Sequence, residues 1–168
     1  MSDTISDTNT ESGTNTKLPT MSCVIEGQSV LLPGIAVAEV IDYQAGLQNY
    51  ADGAPDWLLG KLNWRGLQIP LVSLEGLDHA GFFSQQKSLK IVVVNALFDL
   101  SEVAYWGFVS LETPKLHRIS AQNLLSSDDS LSGAVISMQA ELDQHMHGIV
   151  NLQSAEQLIN ETLQALVK

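Results

Sequence analysis

The chain has 168 residues, 45% of them apolar, and sets 19 Asp and Glu against 8 Lys and Arg for a formal net charge of −11. The length suits one fold unit with a core large enough to need no cross-links. The acidity repels nucleic-acid phosphates and anionic lipid, so neutral or basic protein partners are expected.

Residues 1–17 are almost entirely Ser, Thr, Asn, Asp and Gly. They bury too little apolar surface to offset the entropy of ordering, so a disordered tail is expected, with the folded domain over 18–168. The start has neither a basic nor an apolar run and no segment reaches membrane-spanning length, which predicts a cytoplasmic protein. Cys23 is the single cysteine. It allows no internal disulfide, has no Cys/His set beside it for zinc, and agrees with a reducing compartment.

Short apolar or alternating runs then recur between turn signals, over 23–32, 35–41, 61–72, 89–97, 103–111, 134–139 and 147–152. This is a β-rich pattern. Polar, Gly-containing segments 43–55 and 76–88 read as connections. The stretch Ile91-Val92-Val93-Val94 is β-branched on both faces, as in a strand buried between two layers. At the end, Leu158, Ile159, Leu163, Leu166 and Val167 recur at helical spacing, with Ser154 and Gln157 as a candidate capping box. The apolar stripe of that helix is expected to pack on the domain.

The segment 59–74 is the most informative. Leu62 and Trp64 alternate with Lys61, Asn63 and Arg65, so one basic side chain is displayed beside an Arg65-Gly66 turn. Gly66 supplies the positive φ of a tight hairpin, and Gly60 relieves the backbone where the strand begins. Pro70 has no amide hydrogen, so the outgoing strand is expected at a sheet edge or with a bulge.

Signals for chemistry are sparse. There is no phosphate-binding Gly-x-x-x-x-Gly-Lys-Ser/Thr loop, no dinucleotide Gly-x-Gly-x-x-Gly and no Gly-x-Ser-x-Gly elbow. His145 and His147 could share one strand face, with Asp143 as a third metal ligand, which makes a small β-barrel enzyme or metal protein the alternative reading; strand-end histidines beside a turn are the plainer one. His79 and His117 stand alone. Asp128-Asp129 reads as a solvated loop, and Trp57, Trp64 and Trp106 as packing residues rather than a stacking platform.

The pattern Gly60-x-Leu62-x-Trp64-Arg65-Gly66-x-x-Ile69-Pro70-Leu71-Val72-x-Leu74 resembles the signature hairpin of CheW-like domains, the adaptors of bacterial chemosensory arrays. The strand at 90–94, Gly107-Phe108-Val109 and Gly148-Ile149-Val150-Asn151-Leu152 with Leu158-Ile159 follow the same family order, so the resemblance covers about residues 20–165. Departures are Ser73 and Ser110 where the family often has acids, Asn151 where it has Asp, and Pro114. Within the family the chain is most similar to stand-alone adaptors of type IV pilus systems, the ChpC type. The resemblance implies a mainly β fold of two intertwined five-stranded SH3-like barrels with a C-terminal helix, and no catalysis and no cofactor. It implies an adaptor between the cytoplasmic tips of chemoreceptors and the regulatory domain of a CheA-type histidine kinase. Arg65 is the leading contact residue, with Asn63, Lys61 and Pro70 beside it; Gly60 and Gly66 are conformational requirements. A purely structural role for Arg65, holding the hairpin through a carboxylate or carbonyls, stands open beside it.

Overall fold

A computed structural model of the chain describes residues 16–44, 46–75, 89–98, 103–120, 125–127 and 135–167. Most of the expected tail, the whole 76–88 connection with His79, and the Asp128-Asp129 pair lie outside those residues. The strands are β1 (Leu18–Ile25), β2 (Gln28–Pro33), β3 (Val37–Asp42), β4 (Leu58–Trp64), β5 (Leu67–Val72), β6 (Lys90–Asn95), β7 (Tyr105–Ser110), β8 (Lys115–Ile119), β9 (Leu125–Ser127), β10 (Ile136–Leu142) and β11 (His145–Val150). Helix α1 (Leu152–Val167) closes the chain. The run at 23–32 is itself a hairpin, β1 to β2, turning at Glu26-Gly27 with Gly27 at φ 79°. β8 and β9 carried no sequence signal: β8 is short and largely exposed, and the out-of-pattern Pro114 directly precedes it.

The strands form two sheets, ordered β8-β1-β2-β11-β10-β9 and β3-β6-β7-β5-β4. The middle of the chain makes the second sheet, and the two ends meet in the first, where β11 runs parallel to β2. In the second sheet β7 runs parallel to β5. The mainly β class with a C-terminal helix is therefore as expected. One sheet, however, has six strands rather than five, and among the described residues no ladder joins the outer strands of either.

Barrel-like curvature comes instead from side chains. Leu62, Trp64, Ile69, Leu71, Ile91, Val93 and Val109 form a core inside the five-stranded sheet, and Leu31, Ile119 and Leu142 a smaller one inside the six-stranded sheet. The shared core between the sheets takes Cys23, Ile25, Val30 and Leu32 from one side and Val72, Val92, Val94, Trp106 and Phe108 from the other. β6 thus alternates between two interiors, Ile91 and Val93 into one and Val92 and Val94 into the other, which is why it reads as continuously apolar.

α1 covers this shared core with Leu152, Ala155 and Ile159. Its cap is not Ser154. Asn151 accepts the Ser154 backbone N–H at 3.1 Å, so the helix starts three residues earlier than the Ser154 box implies, and Gln157 bonds to Glu161 instead. Asn and Asp cap about equally well, so the departure at Asn151 keeps the local geometry. Glu156, also buried, reaches back to accept the backbone N–H groups of Leu97 at 2.9 Å and Phe98 at 3.0 Å.

Candidate protein-interaction site

The β4–β5 hairpin closes with Trp64 opposite Leu67, which leaves Arg65 and Gly66 as the two turn residues. Both have positive φ, 49° and 78°. This is the sign pattern of the turn whose twist matches the flanking strands. The glycine was expected there; the left-handed arginine was not, and it costs about 1–2 kcal/mol relative to a glycine.

Arg65 is 66% exposed and is held on two sides. Its guanidinium lies 4.9 Å from the Trp64 ring centroid and 3.1 Å from the carboxylate of Glu39. The same carboxylate accepts the Trp64 indole N–H at 2.9 Å. Glu39 sits on β3 and Trp64 on β4, the two outer strands of one sheet. Laid flat, strands four intervals apart would be separated by about 19 Å. Glu39 therefore clasps the rolled sheet at the point where Arg65 emerges. Sequence reasoning missed it, although an acid interrupting Val37-Ala38-Glu39-Val40-Ile41 was a visible signal.

Along β4 the expected alternation holds: Leu62 and Trp64 are buried, Asn63 exposed and Lys61 half-buried. The Lys61 ammonium stands 5.1 Å from the Tyr50 ring centroid, and burial pushes the Tyr50 phenol up to about 12, so that ring stays neutral. Gly60 has φ 151° at a bulge, and a Cβ there would lie 2.9 Å from the Gln48 carbonyl oxygen and from Leu47 Cβ. The glycine lets segment 47–48 cross the strand and exchange two backbone hydrogen bonds with Lys61. Because Lys61 bonds outward, Asn63 two residues on also turns its backbone outward, leaving a short stretch of open edge beside Arg65.

Pro70 corrects two expectations. β5 is an interior strand, flanked by β4 and β7, and Pro70 is buried. The proline is tolerated because it faces Lys61, whose backbone bonds elsewhere, while the β7 ladder begins only at Leu71. The bulge lies in β4 instead. Leu67, at 47% exposure, is the apolar residue that the hairpin tip presents.

Of the other sequence candidates, His117, Asp143, His145 and His147 line one separate groove and the rest disperse. Trp57 and Trp106 pack in the shared core and Trp64 in the separate one, so no stacking platform forms. Burial pushes the Cys23 thiol up to about 12, which keeps it unreactive. Ser73 donates to Glu75 at 2.8 Å, and Glu75 accepts the Glu26 N–H at 2.7 Å, so an acid two residues further on caps the first hairpin. Ser110 bonds to Val24 and Glu112, tying β7 to β1. Asp143 and Gln144 form the β10–β11 turn at φ 51° and 64°, and His145 Nδ1 pairs with the Asp143 carbonyl at 2.8 Å rather than with its carboxylate. Among the described residues no three His, Cys, Asp or Glu are set to hold a metal.

The CheW-like domain family matches residues 19–160, and the match includes the hairpin, its clasp and most of the helix. This chain belongs to the CheW-like domain family. It is also similar in fold to the scaffolding protein TtCheW from Thermoanaerobacter tengcongensis, with a TM-score of 0.65 at 17% identity over 80% of this chain and 89% of that one. No curated protein sequence matches it. Membership puts the chain among the scaffold domains of chemotaxis signalling. In this CheW-like domain no helix among the described residues is long and apolar enough to cross a membrane.

Proposed function

We propose that this CheW-like domain is a non-enzymatic adaptor that couples the cytoplasmic tips of chemoreceptors to the regulatory domain of a CheA-type histidine kinase. The observation that carries the reading is the family match over residues 19–160, with a solvent-exposed Arg65 at the tip of the matching hairpin. Asn63, Lys61 and Leu67 extend that surface, and Pro70 supports it from within. Its place is the cytoplasmic face of a membrane-associated array. The resemblance of the sequence pattern to ChpC-type adaptors favours a system that drives type IV pilus motility.

A surface of this kind gives small contacts whose strength in an array comes from their number. Titration of the chain against the isolated kinase regulatory domain tests the reading. Saturable micromolar binding, weakened at least tenfold by Arg65→Glu in a variant that stays folded, is expected. Absence of binding to both the kinase domain and a receptor-tip fragment overturns it. Loss of twitching in a deletion strain, with swimming intact, is the expected sign of the pilus assignment.

A further inference from the structure

The interiors of the two rolled sheets are filled differently. The five-stranded sheet is packed with seven buried apolar residues, including Trp64. Among the described residues the six-stranded sheet packs the cluster Leu31, Ile119 and Leu142, with the small Ala140 also buried on that face, and beyond them the inner face turns polar and opens into a groove of about 280 Å³. His117 on β8 and His145 and His147 on β11 line that groove, with Lys115, Ser22 and Ser29. β8 and β11 are separated by β1 and β2, about 14 Å if the sheet were flat, so it is the roll that gathers the three imidazoles.

The rings are not saturated by the protein. His117 Nε2 pairs with the Ser22 hydroxyl at 2.8 Å, and His145 commits Nδ1 to the Asp143 carbonyl. His147 Nδ1 is buried with no hydrogen-bond partner among the described residues. The charged groups facing the groove are Lys115, Glu112 and Asp143. With neutral imidazoles the groove is net negative; with all three protonated it is net positive, in a chain whose overall charge is −11. The residues do not converge on a ready-made metal position.

We propose that this groove is a pH-gated binding site for a small multivalent oxyanion, such as phosphate or a short dicarboxylate, held by His117, His145, His147 and Lys115. The hydroxyls of Ser22 and Ser29 supply further donors on the groove wall. Burial and then the neighbouring His117 and His145 hold the His147 imidazole below its ordinary range, with the Leu142 carbonyl and Asp143 offsetting part of this. A bound anion reverses the balance, so uptake of anion and protons is linked. The site is independent of the Arg65 hairpin and of the adaptor reading.

The test is calorimetric titration of the full chain with phosphate and, separately, succinate at pH 6.0 and 8.0, with imidazole nitrogens followed by NMR. Binding at least tenfold tighter at pH 6.0, weakened severalfold in His117→Gln and in the exposed-site variants Lys115→Gln and His145→Gln, is expected. The His147 ring should titrate at higher pH when ligand is present. Phosphate without succinate marks an inorganic-anion site, and the reverse a carboxylate site; either supports the proposal. Equal affinity at the two pH values, binding unaffected by all three substitutions, or stoichiometric zinc uptake without an oxyanion effect overturns it.

Discussion

The Glu39 carboxylate receives the Trp64 indole N–H at 2.9 Å and pairs with Arg65 at 3.1 Å, so one acid joins the two outer strands of a rolled sheet and orients the most exposed cation of the hairpin. An exposed pair of this kind contributes at most about 1 kcal/mol. Arg65→Ala should therefore leave urea-unfolding stability within about 1 kcal/mol of the parent, while partner affinity falls. Glu39→Gln keeps an acceptor for Trp64 but releases Arg65, and affinity should hold or rise. Equal stability losses in both variants, with unchanged affinity, would show that Arg65 only holds the hairpin.

The hairpin glycines should differ in cost for a physical reason. Gly66 has open space around a built Cβ, so Gly66→Ala carries only the left-handed backbone penalty of about 1–2 kcal/mol. At Gly60 the added methyl also meets backbone oxygen at 2.9 Å, and Gly60→Ala should cost clearly more. Arg65→Gly should stabilise the fold by relieving φ 49°. Denaturation midpoints of the three variants check the order.

Glu156 is 3% exposed and satisfies two backbone donors that follow β6. Glu156→Ala strands both N–H groups and should cost about 2–3 kcal/mol, whereas Glu156→Gln retains acceptor capacity and should cost less. Hydrogen exchange at Leu97 and Phe98 should accelerate in the alanine variant. Unchanged exchange would mean that the loop is held by other contacts.

Stability should fall on mild acidification. His147 has a folded-state pKa below its ordinary value of 6.5, so the unfolded chain binds the proton more tightly. That contribution is fully present above pH 6.5 and is lost as the pH falls through that value towards the folded one. Melting curves from pH 8 to 5 should show the loss in the parent without phosphate and a flatter profile in His147→Asn. An unchanged profile in the variant would remove His147 as its source.

Legibility in the sequence followed the range of the interactions. The alternation in 61–72, the double-faced strand at Ile91–Val94 and the helical stripe near the end are local patterns, and each became an element. β8 and β9 were missed because neither carries a clean alternation: β8 is largely exposed on a sheet edge, and β9 has three residues. Ser154 was mistaken for the cap because Asn151 lies just before it with the same chemistry. Pro70 reads from the sequence as a mark of an edge strand or a bulge, because sequence cannot tell which backbone hydrogen bonds a neighbouring strand will demand.

The sequence by itself determined the β-rich class, the hairpin with its displayed arginine and the family, because these depend on side-chain spacing within a few residues. Only the tertiary structure decided that Glu39 meets Trp64 across 25 residues and that His117, bonded to Ser22 across 95, shares a groove with His145 and His147. Those meetings depend on how far each sheet rolls. The roll is set by apolar residues competing for two interiors at once, a balance that no local pattern encodes.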